Sequence, residues 1–302
     1  MDLSIVFSTF KSENILEKSL KAYCNIETNY AWELIIVDNA CREETRKVVA
    51  KYKQKLPIVF LEQPKQGKNN ALNKAIPIIQ GELVLFTDND IIPESNIVDV
   101  YVGAGKTYPD IDVFGGRILP DIKLPSWIDT SLGRIRSAFG IFDKGDSDVM
   151  LPPMEVWGGN MMLRTLLFKD GMSFNTKVGP SGSNYVMGSE TELLKRLEAN
   201  GHQGMYIANS IVQHQIRSEQ LTINWLKHRT YRLGRGVANG EKDDSAQLFG
   251  IPRYLIKSII FDSLRVLGTI VLLKSKKEKN KSFMDLYFNL GRFAQFRNMS
   301  KT

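Results

Sequence analysis

Residues 81–90 read GELVLFTDND, an apolar run that ends in two aspartates one residue apart. Leu83 to Phe86 have the length and composition of a buried strand bounded by Gly81. Two anions at the tip of such a strand, Asp88 and Asp90, repel each other unless a cation lies between them or water solvates them. The chemistry they suit is capture of a divalent metal. The plainer use is a polar loop capping the next helix, and an isolated D-x-D fits that use better. Two further apolar runs carry polar tips of the same kind, Ser8-Thr9-Phe10 and Asp38-Asn39.

Such tips need elements to position them. Up to about residue 120, strand-like and helix-like patterns alternate: strands over 3–8, 32–37, 57–61 and 83–86, helices over 13–23, 43–53 and 69–80. This alternation implies an α/β fold with a parallel sheet and helices on both faces. Ligands of such sheets bind beyond the carboxyl ends of the strands, so the three tips should share one edge. Asp38 alone reads as a turn or cap residue; three tips together read as a site. No G-x-G-x-x-G follows the first strand, where STFKSEN stands, and there is no P-loop, which disfavours an NAD-dependent dehydrogenase.

The chain of 302 residues suits one large α/β domain or two small ones, and its 43% apolar and 24% charged content is ordinary for a globular protein. Cys24 and Cys41 form neither a metal spacing nor a disulfide framework, which points to reduced thiols in a cytoplasmic setting. Met1-Asp2-Leu3 leads straight into the first strand with no basic leader, so no signal peptide is expected. The net charge of +7 is uneven: residues 251–302 hold eleven Lys/Arg against three Asp/Glu. With no recognisable nucleic-acid module, this tail is expected to meet an anionic surface and not nucleic acid. Residues 254–273 are mostly apolar, but Lys257, Asp262 and Arg265 make a membrane span costly. An amphipathic helix lying on a membrane or packed on the domain fits better, and KSKKEKNK follows it, either as a headgroup-binding cluster or as a solvated loop.

The stretches SIVFSTFKSENILEKSL, ELIIVDNA, QGKNNALNKAI, GELVLFTDND, WGGNMMLR, GSETELLKRL and the region around VQHQIRSEQL stand in the order found in the family 2 glycosyltransferases. The sequence resembles that family, part of the nucleotide-diphospho-sugar transferase superfamily, over roughly residues 3–235. The resemblance implies a GT-A (Rossmann-like) α/β fold, with a mixed, mostly parallel sheet flanked by helices and a helical C-terminal extension. Residues 1–240 would form the transferase domain, 1–118 binding the nucleotide-sugar and 119–240 the acceptor, with 241–302 as the basic extension. It also implies an inverting transfer of a sugar from a nucleotide-diphosphate donor, expected to be UDP-linked, to a hydroxyl of a glycan or lipid-linked acceptor. The cofactor would be Mn2+ or Mg2+. The setting would be bacterial surface polysaccharide synthesis, in the cytoplasm or peripherally at the inner face of the membrane. A sugar-nucleotidyltransferase, or a relative that binds nucleotide or glycan without catalysis, is the alternative.

The same resemblance assigns roles. Thr9 and Asp38, with Ser8 and Phe10 beside them, match the positions around the base and ribose. Lys68, Asn73, Asn89, Gly158 and Gly159 match positions around the nucleotide-sugar, although Leu72 stands where the family often has Arg. Asp90 and Asp88 match the metal-binding D-x-D, and His214 a position near the metal or diphosphate. Where the family has Glu-Asp, this chain has Ser189-Glu190, so Glu190 becomes the general base with one methylene more reach than Asp. Glu192 is the competing base. Trp157, Arg229 and Arg232 fall to the acceptor or its phosphates. Residues 119–150 resemble nothing placed; they read as a loop over the cleft, with Trp127 either structural or against a sugar ring.

Overall fold

In the computed structural model, which describes residues 1–169, 171–180, 187–240 and 245–300, the first half of the sheet follows the alternation in the sequence. Strands β1 (Leu3–Thr9), β2 (Trp32–Asp38), β3 (Ile58–Glu62) and β4 (Leu83–Thr87) pair in parallel in the order β3-β2-β1-β4. Helices α1 (Glu13–Tyr23), α2 (Glu43–Ala50) and α3 (Lys68–Ala75) connect them. The apolar runs of β1, β2 and β4 are buried almost throughout, as strands covered on both faces must be. Then follow β5 (Ile91–Pro93), α4 (Ile97–Thr107), β6 (Val113–Pro120), α5 (Gly133–Ala138), β7 (Val149–Leu151), β8 (Asn160–Arg164), α6 (Ser189–Ala199) and β9 (Gly204–His214). β8 runs antiparallel to both β4 and β6, while β9 is parallel to β6 and antiparallel to β5 and β7. The result is the mixed, helix-flanked sheet of a GT-A fold.

Three stretches depart from expectation. α3 stops at Ala75 and gives way to a 3-10 turn over Ile76–Ile78, because Pro77 has no N–H to continue the helix. α2 ends at Ala50 instead of 53. Residues 119–150 are not one loop over a cleft. Phe142 and Ile118 exchange backbone hydrogen bonds of 2.7 and 3.0 Å, and Arg117 pairs with Asp143 at 3.1 Å and Asp146 at 2.7 Å, so the stretch from residue 140 lies on the sheet. Trp127, read as either structural or against a sugar ring, has the ammonium of Lys276 5.0 Å from its ring centre.

The sheet and its helices form one compact unit; the other gathers Ile122–Phe139 and the chain from Ile216 onward. That second unit holds α5, a 3-10 turn (Ser218–Leu221), α7 (Ile223–Gly240), a small hairpin of β10 (Gln247–Leu248) and β11 (Ile251–Pro252), α8 (Arg253–Val271) and α9 (Lys276–Met299). By compactness α7 groups with α8 and α9, earlier than the expected extension from 241. The lysine run is not a loop but the first turns of α9. Ser275 Oγ accepts the Glu278 N–H at 3.2 Å and the Glu278 carboxylate accepts the Ser275 N–H at 3.2 Å, a closed capping box. Among the described residues no helix is long and apolar enough to cross a membrane.

β4 enters the sheet through a tight seam. The Gly81 N–H donates to Ser4 Oγ at 2.9 Å, and the Ser4 hydroxyl donates to the buried Glu33 carboxylate at 2.5 Å. A Cβ on Gly81 would lie 2.6 Å from the Leu83 carbonyl oxygen and 2.7 Å from the Leu3 carbonyl carbon, both backbone. Gly81→Ala should therefore cost roughly 1–3 kcal/mol, as overpacking does. A lower urea midpoint with unchanged slope is expected; an unchanged midpoint would contradict the seam.

Candidate active site

The middle residue of the D-x-D turn is a stitch between strands. The Asn89 side-chain amide donates to Ser12 Oγ at 2.6 Å and to Thr9 Oγ1 at 3.3 Å, and its carbonyl accepts from Ser19 Oγ at 2.8 Å. The tips of β1 and β4 are thus tied edge to edge. Ser8 beside them is half-buried, and Phe10 is exposed. Asp38, fully buried, accepts the Ala40 and Arg42 N–H groups at 2.8 Å each, which is the turn-forming use its residue type allows. Its neighbour Asn39, given no role of its own in the sequence, reaches further. It donates to the carbonyls of Gln63 and Lys65 at 2.7 and 2.8 Å and accepts the Gly67 N–H at 2.7 Å. Gly67 directly precedes Lys68, so the tip of β2 sets the start of α3.

Lys68 is the centre of the arrangement. Its ammonium lies 2.5 Å from Asp88 Oδ1 and 2.5 Å from Glu190 Oε1. Burial disfavours the ammonium, but the charges of Asp88 and Glu190 and their hydrogen bonds outweigh it and hold Lys68 protonated above the usual lysine range. Asp88 moves the same way for a different reason. Burial is the largest influence and raises its carboxyl; Lys68 opposes this, the charges of Asp90 and Glu190 add to it, and the balance is upward.

The groups around Lys68 are placed by backbone contacts. The Lys68 N–H donates to the Pro180 carbonyl at 2.9 Å. Asn69 donates to the carbonyls of Asn175 and Val178 at 2.7 and 3.0 Å and accepts the hydroxyl of Ser189, the first residue of α6. That last bond sets the position of Glu190. Asn73 is used up locally, its amide bonded in both directions to the Phe174 backbone at 2.8 and 2.9 Å. Gly158 stands in close approach to Glu190, since a Cβ there would lie 2.5 Å from Glu190 Cδ, whereas a Cβ on Gly159 would make only an ordinary 3.9 Å contact with Asp88 Oδ2. Trp157 stacks on Phe142 with ring centres 5.8 Å apart.

The two base candidates part company. Glu192 is bound by Arg196 one turn along, through Nε and Nη2 at 3.0 Å each, whereas Glu190 meets Lys68. Asp90 faces His214 with Oδ2 and Nε2 3.3 Å apart, and His214 ends β9 opposite Ile91 in the ladder. Asp88, Asp90, Glu190, His214 and Lys68 are therefore brought together at the strand tips. Arg229 and Arg232 belong to α7 in the other unit, Arg229 half-buried and Arg232 exposed. Among the described residues no three acidic, imidazole or thiol groups already converge as a metal cage.

The Glycosyl transferase family 2 profile matches residues 4–171, more than half of the chain. This chain belongs to glycosyl transferase family 2. A relative from Haloferax volcanii, glucosyl-dolichyl phosphate glucuronosyltransferase, is 22% identical over 241 residues that cover 78% of this chain and 75% of that one. Among solved structures, the mannosyltransferase PcManGT from Pyrobaculum calidifontis, in complex with GDP-Man and Mn2+, superposes with a TM-score of 0.63 at 16% identity, covering 97% of this chain and 86% of that one. The S. aureus protein TarS (residues 1–349) with UDP-GlcNAc gives 0.56 at 14% identity, covering 94% and 90%. As a family 2 member the protein is a glycosyltransferase.

The upward shift of Asp88 has a stability consequence. A carboxyl that binds its proton more readily folded than unfolded destabilises the ionised native state, and that cost is relieved as pH falls through the folded value. In EDTA, Asp88→Asn should melt above the wild type at neutral pH, with the gap closing toward about pH 4, the ordinary aspartate value. A variant that melts lower than wild type at neutral pH would show the Asp88–Lys68 pair to be net stabilising.

Proposed function

We propose that this family 2 glycosyltransferase moves a sugar, with inversion, from a UDP-linked donor to a hydroxyl of a lipid-linked saccharide. The reading puts the enzyme at the cytoplasmic face of a bacterial membrane, in surface polysaccharide synthesis. The observation that carries it is the placement of Glu190 and Asp88 on the two oxygen-facing sides of one ammonium, with Gly158 and Gly159 against them. A carboxylate base then lies next to the residues that would take the diphosphate. The donor class is supported by TarS, whose structure holds UDP-GlcNAc, and the acceptor class by the relative named for glucosyl-dolichyl phosphate.

In this reading the Glu190 carboxylate accepts the proton of the acceptor hydroxyl as its oxygen attacks the anomeric carbon. The bond from that carbon to the diphosphate breaks on the opposite side, and the nucleoside diphosphate leaves. Lys68 shares its charge between the base and the diphosphate side. Gly158 and Gly159 let the donor sugar approach the backbone. Trp157 is assigned to the ring of the acceptor. The tips of β1 and β2, with Thr9 and Asp38, are assigned to the nucleoside.

Asp90, Asp88 and His214 are the residues to hold a divalent cation, Mn2+ or Mg2+. The donor types fit, two carboxylates and one imidazole being groups such ions accept; among the described residues no three of them form a ready metal cage, so the nucleotide would have to complete the site. When bound, such an ion offsets the charge that builds on the departing diphosphate.

Calorimetric titration with UDP and Mn2+ tests the assignment. Asp90→Ala should weaken metal-dependent binding by about tenfold or more, the loss of one charged ligand. Glu190→Gln should bind as the wild type does and lose about 10²–10⁴-fold in release of UDP from a UDP-sugar with a lipid-linked acceptor. Full affinity in Asp90→Ala removes the cation assignment, and full turnover in Glu190→Gln moves the base elsewhere.

A further inference from the structure

α8 is an amphipathic helix with its polarity turned outward. Its acidic residue, Asp262, faces the interior of the helical unit, 7% exposed, and accepts a hydrogen bond from Asn289 at 2.8 Å. Leu255 and Val266 are buried on that same side. On the opposite side Ile260, Phe261, Leu264, Leu267 and Val271 are each between 57 and 67% exposed. Their spacing of three to four places them on one stripe. A single exposed leucine needs no explanation, but a contiguous stripe marks a contact surface.

The stripe is basic at both ends. Arg253 and Lys257 are exposed before it, and Lys274, Lys276, Lys277, Lys279 and Lys281 follow it. From 253 to 281 the chain carries eight Lys/Arg against two Asp/Glu. Three of the lysines, Lys276, Lys277 and Lys279, fall in the first turn of α9, where the helix dipole disfavours cations. Some of this charge is engaged: Lys277 pairs with Asp129 at 2.7 Å, Arg265 pairs with Asp285 at 3.2 Å, Lys276 lies over Trp127, and Lys274 is 4.0 Å from Glu278. A positive excess remains around an apolar stripe.

We infer that the outward stripe of α8, with the lysines that begin α9, docks this enzyme on an anionic lipid bilayer. Apolar side chains enter the acyl boundary while flanking ammonium groups meet headgroup phosphates, the arrangement of a helix lying in the interface. A second copy of the chain fits less well. With basic residues at both ends of the stripe, self-pairing in either direction sets like charges against each other. The inference deepens the lipid-linked-acceptor reading and rests on it only for the choice of a membrane among apolar partners.

The full chain is sedimented with vesicles of phosphatidylcholine plus phosphatidylglycerol, and with vesicles of phosphatidylcholine alone, without donor or acceptor. The wild type should pellet with the mixed vesicles and bind the neutral ones about tenfold more weakly, with added salt reducing the difference. Ile260→Glu with Leu264→Glu should lose about tenfold or more of mixed-vesicle binding at an unchanged melting temperature, since both side chains already face water. Lys274→Gln with Lys281→Gln should lose the preference for the mixed vesicles. A wild type that stays in the supernatant, or a Glu variant that binds as well, overturns the inference. So does a wild-type dimer in light scattering that the Glu pair converts to monomer without any vesicle binding. Because no nucleotide is present, failure here leaves the donor site as argued, and failure of nucleotide binding leaves this surface as argued.

Discussion

Much of the sheet unit is arranged around one ammonium between two carboxylates. Lys68 can hold Asp88 and Glu190 together only because α3 begins where it does, and that start depends on the Asn39 bond to the Gly67 N–H and on the Pro180 carbonyl that accepts the Lys68 N–H. Glu190 is brought into reach by the Asn69–Ser189 bond at the start of α6. The lack of a Cβ at Gly158 leaves room for Glu190. Four separate segments of the chain thus converge through neutral amide contacts, which fix geometry without altering the charge of the cluster.

Asp88 is harder to ionise than an ordinary aspartate, chiefly because it is buried, with the charges of Asp90 and Glu190 adding to this and Lys68 opposing it. α8 also breaks an ordinary rule by turning its acid inward and its apolar residues outward. Local rules fail in folded proteins chiefly where a ligand or partner completes the arrangement. Each departure has a ligand of matching chemistry in the reading above: a metal-bound diphosphate for the carboxylates, and a lipid surface for the stripe.

The strands and the D-x-D tip were legible because their signal is local: β1, β2 and β4 are short apolar runs ending in polar residues, and each forms where its pattern says. Family resemblance set Glu190 apart from a generic acidic first turn, and the structure gives the two carboxylates different partners, Lys68 for Glu190 and Arg196 for Glu192. The asparagines were harder. Asn39 and Asn69 act through backbone groups up to about a hundred residues away in sequence, and Asn89 through the hydroxyls of Thr9 and Ser12, and no periodicity reports such contacts; the Asn73 side chain bonds the Phe174 backbone. Asp38 and Asn39 were noticed together as one polar tip, yet the structure gives them different tasks. Residues 119–150 carry no repeat or period, and their division between the sheet and the helical unit comes from pairings such as Arg117–Asp146 and the contact of Lys276 with Trp127. The outward face of α8 was hidden for another reason: spacing shows that a helix is amphipathic but not which side its neighbours cover.

Electron paramagnetic resonance of Mn2+ tests most directly whether the carboxylate cluster is completed by a metal-bound diphosphate. Free Mn2+ is titrated with the protein alone, then with the protein and UDP. The account predicts weak uptake by the protein alone, because Asp90, Asp88 and His214 do not close a cage, and strong uptake when UDP is added, beyond that of UDP in solution. Equal Mn2+ signals with and without the protein in the presence of UDP would contradict it, and would leave the Asp88-Asn89-Asp90 turn as a loop that only joins two strands.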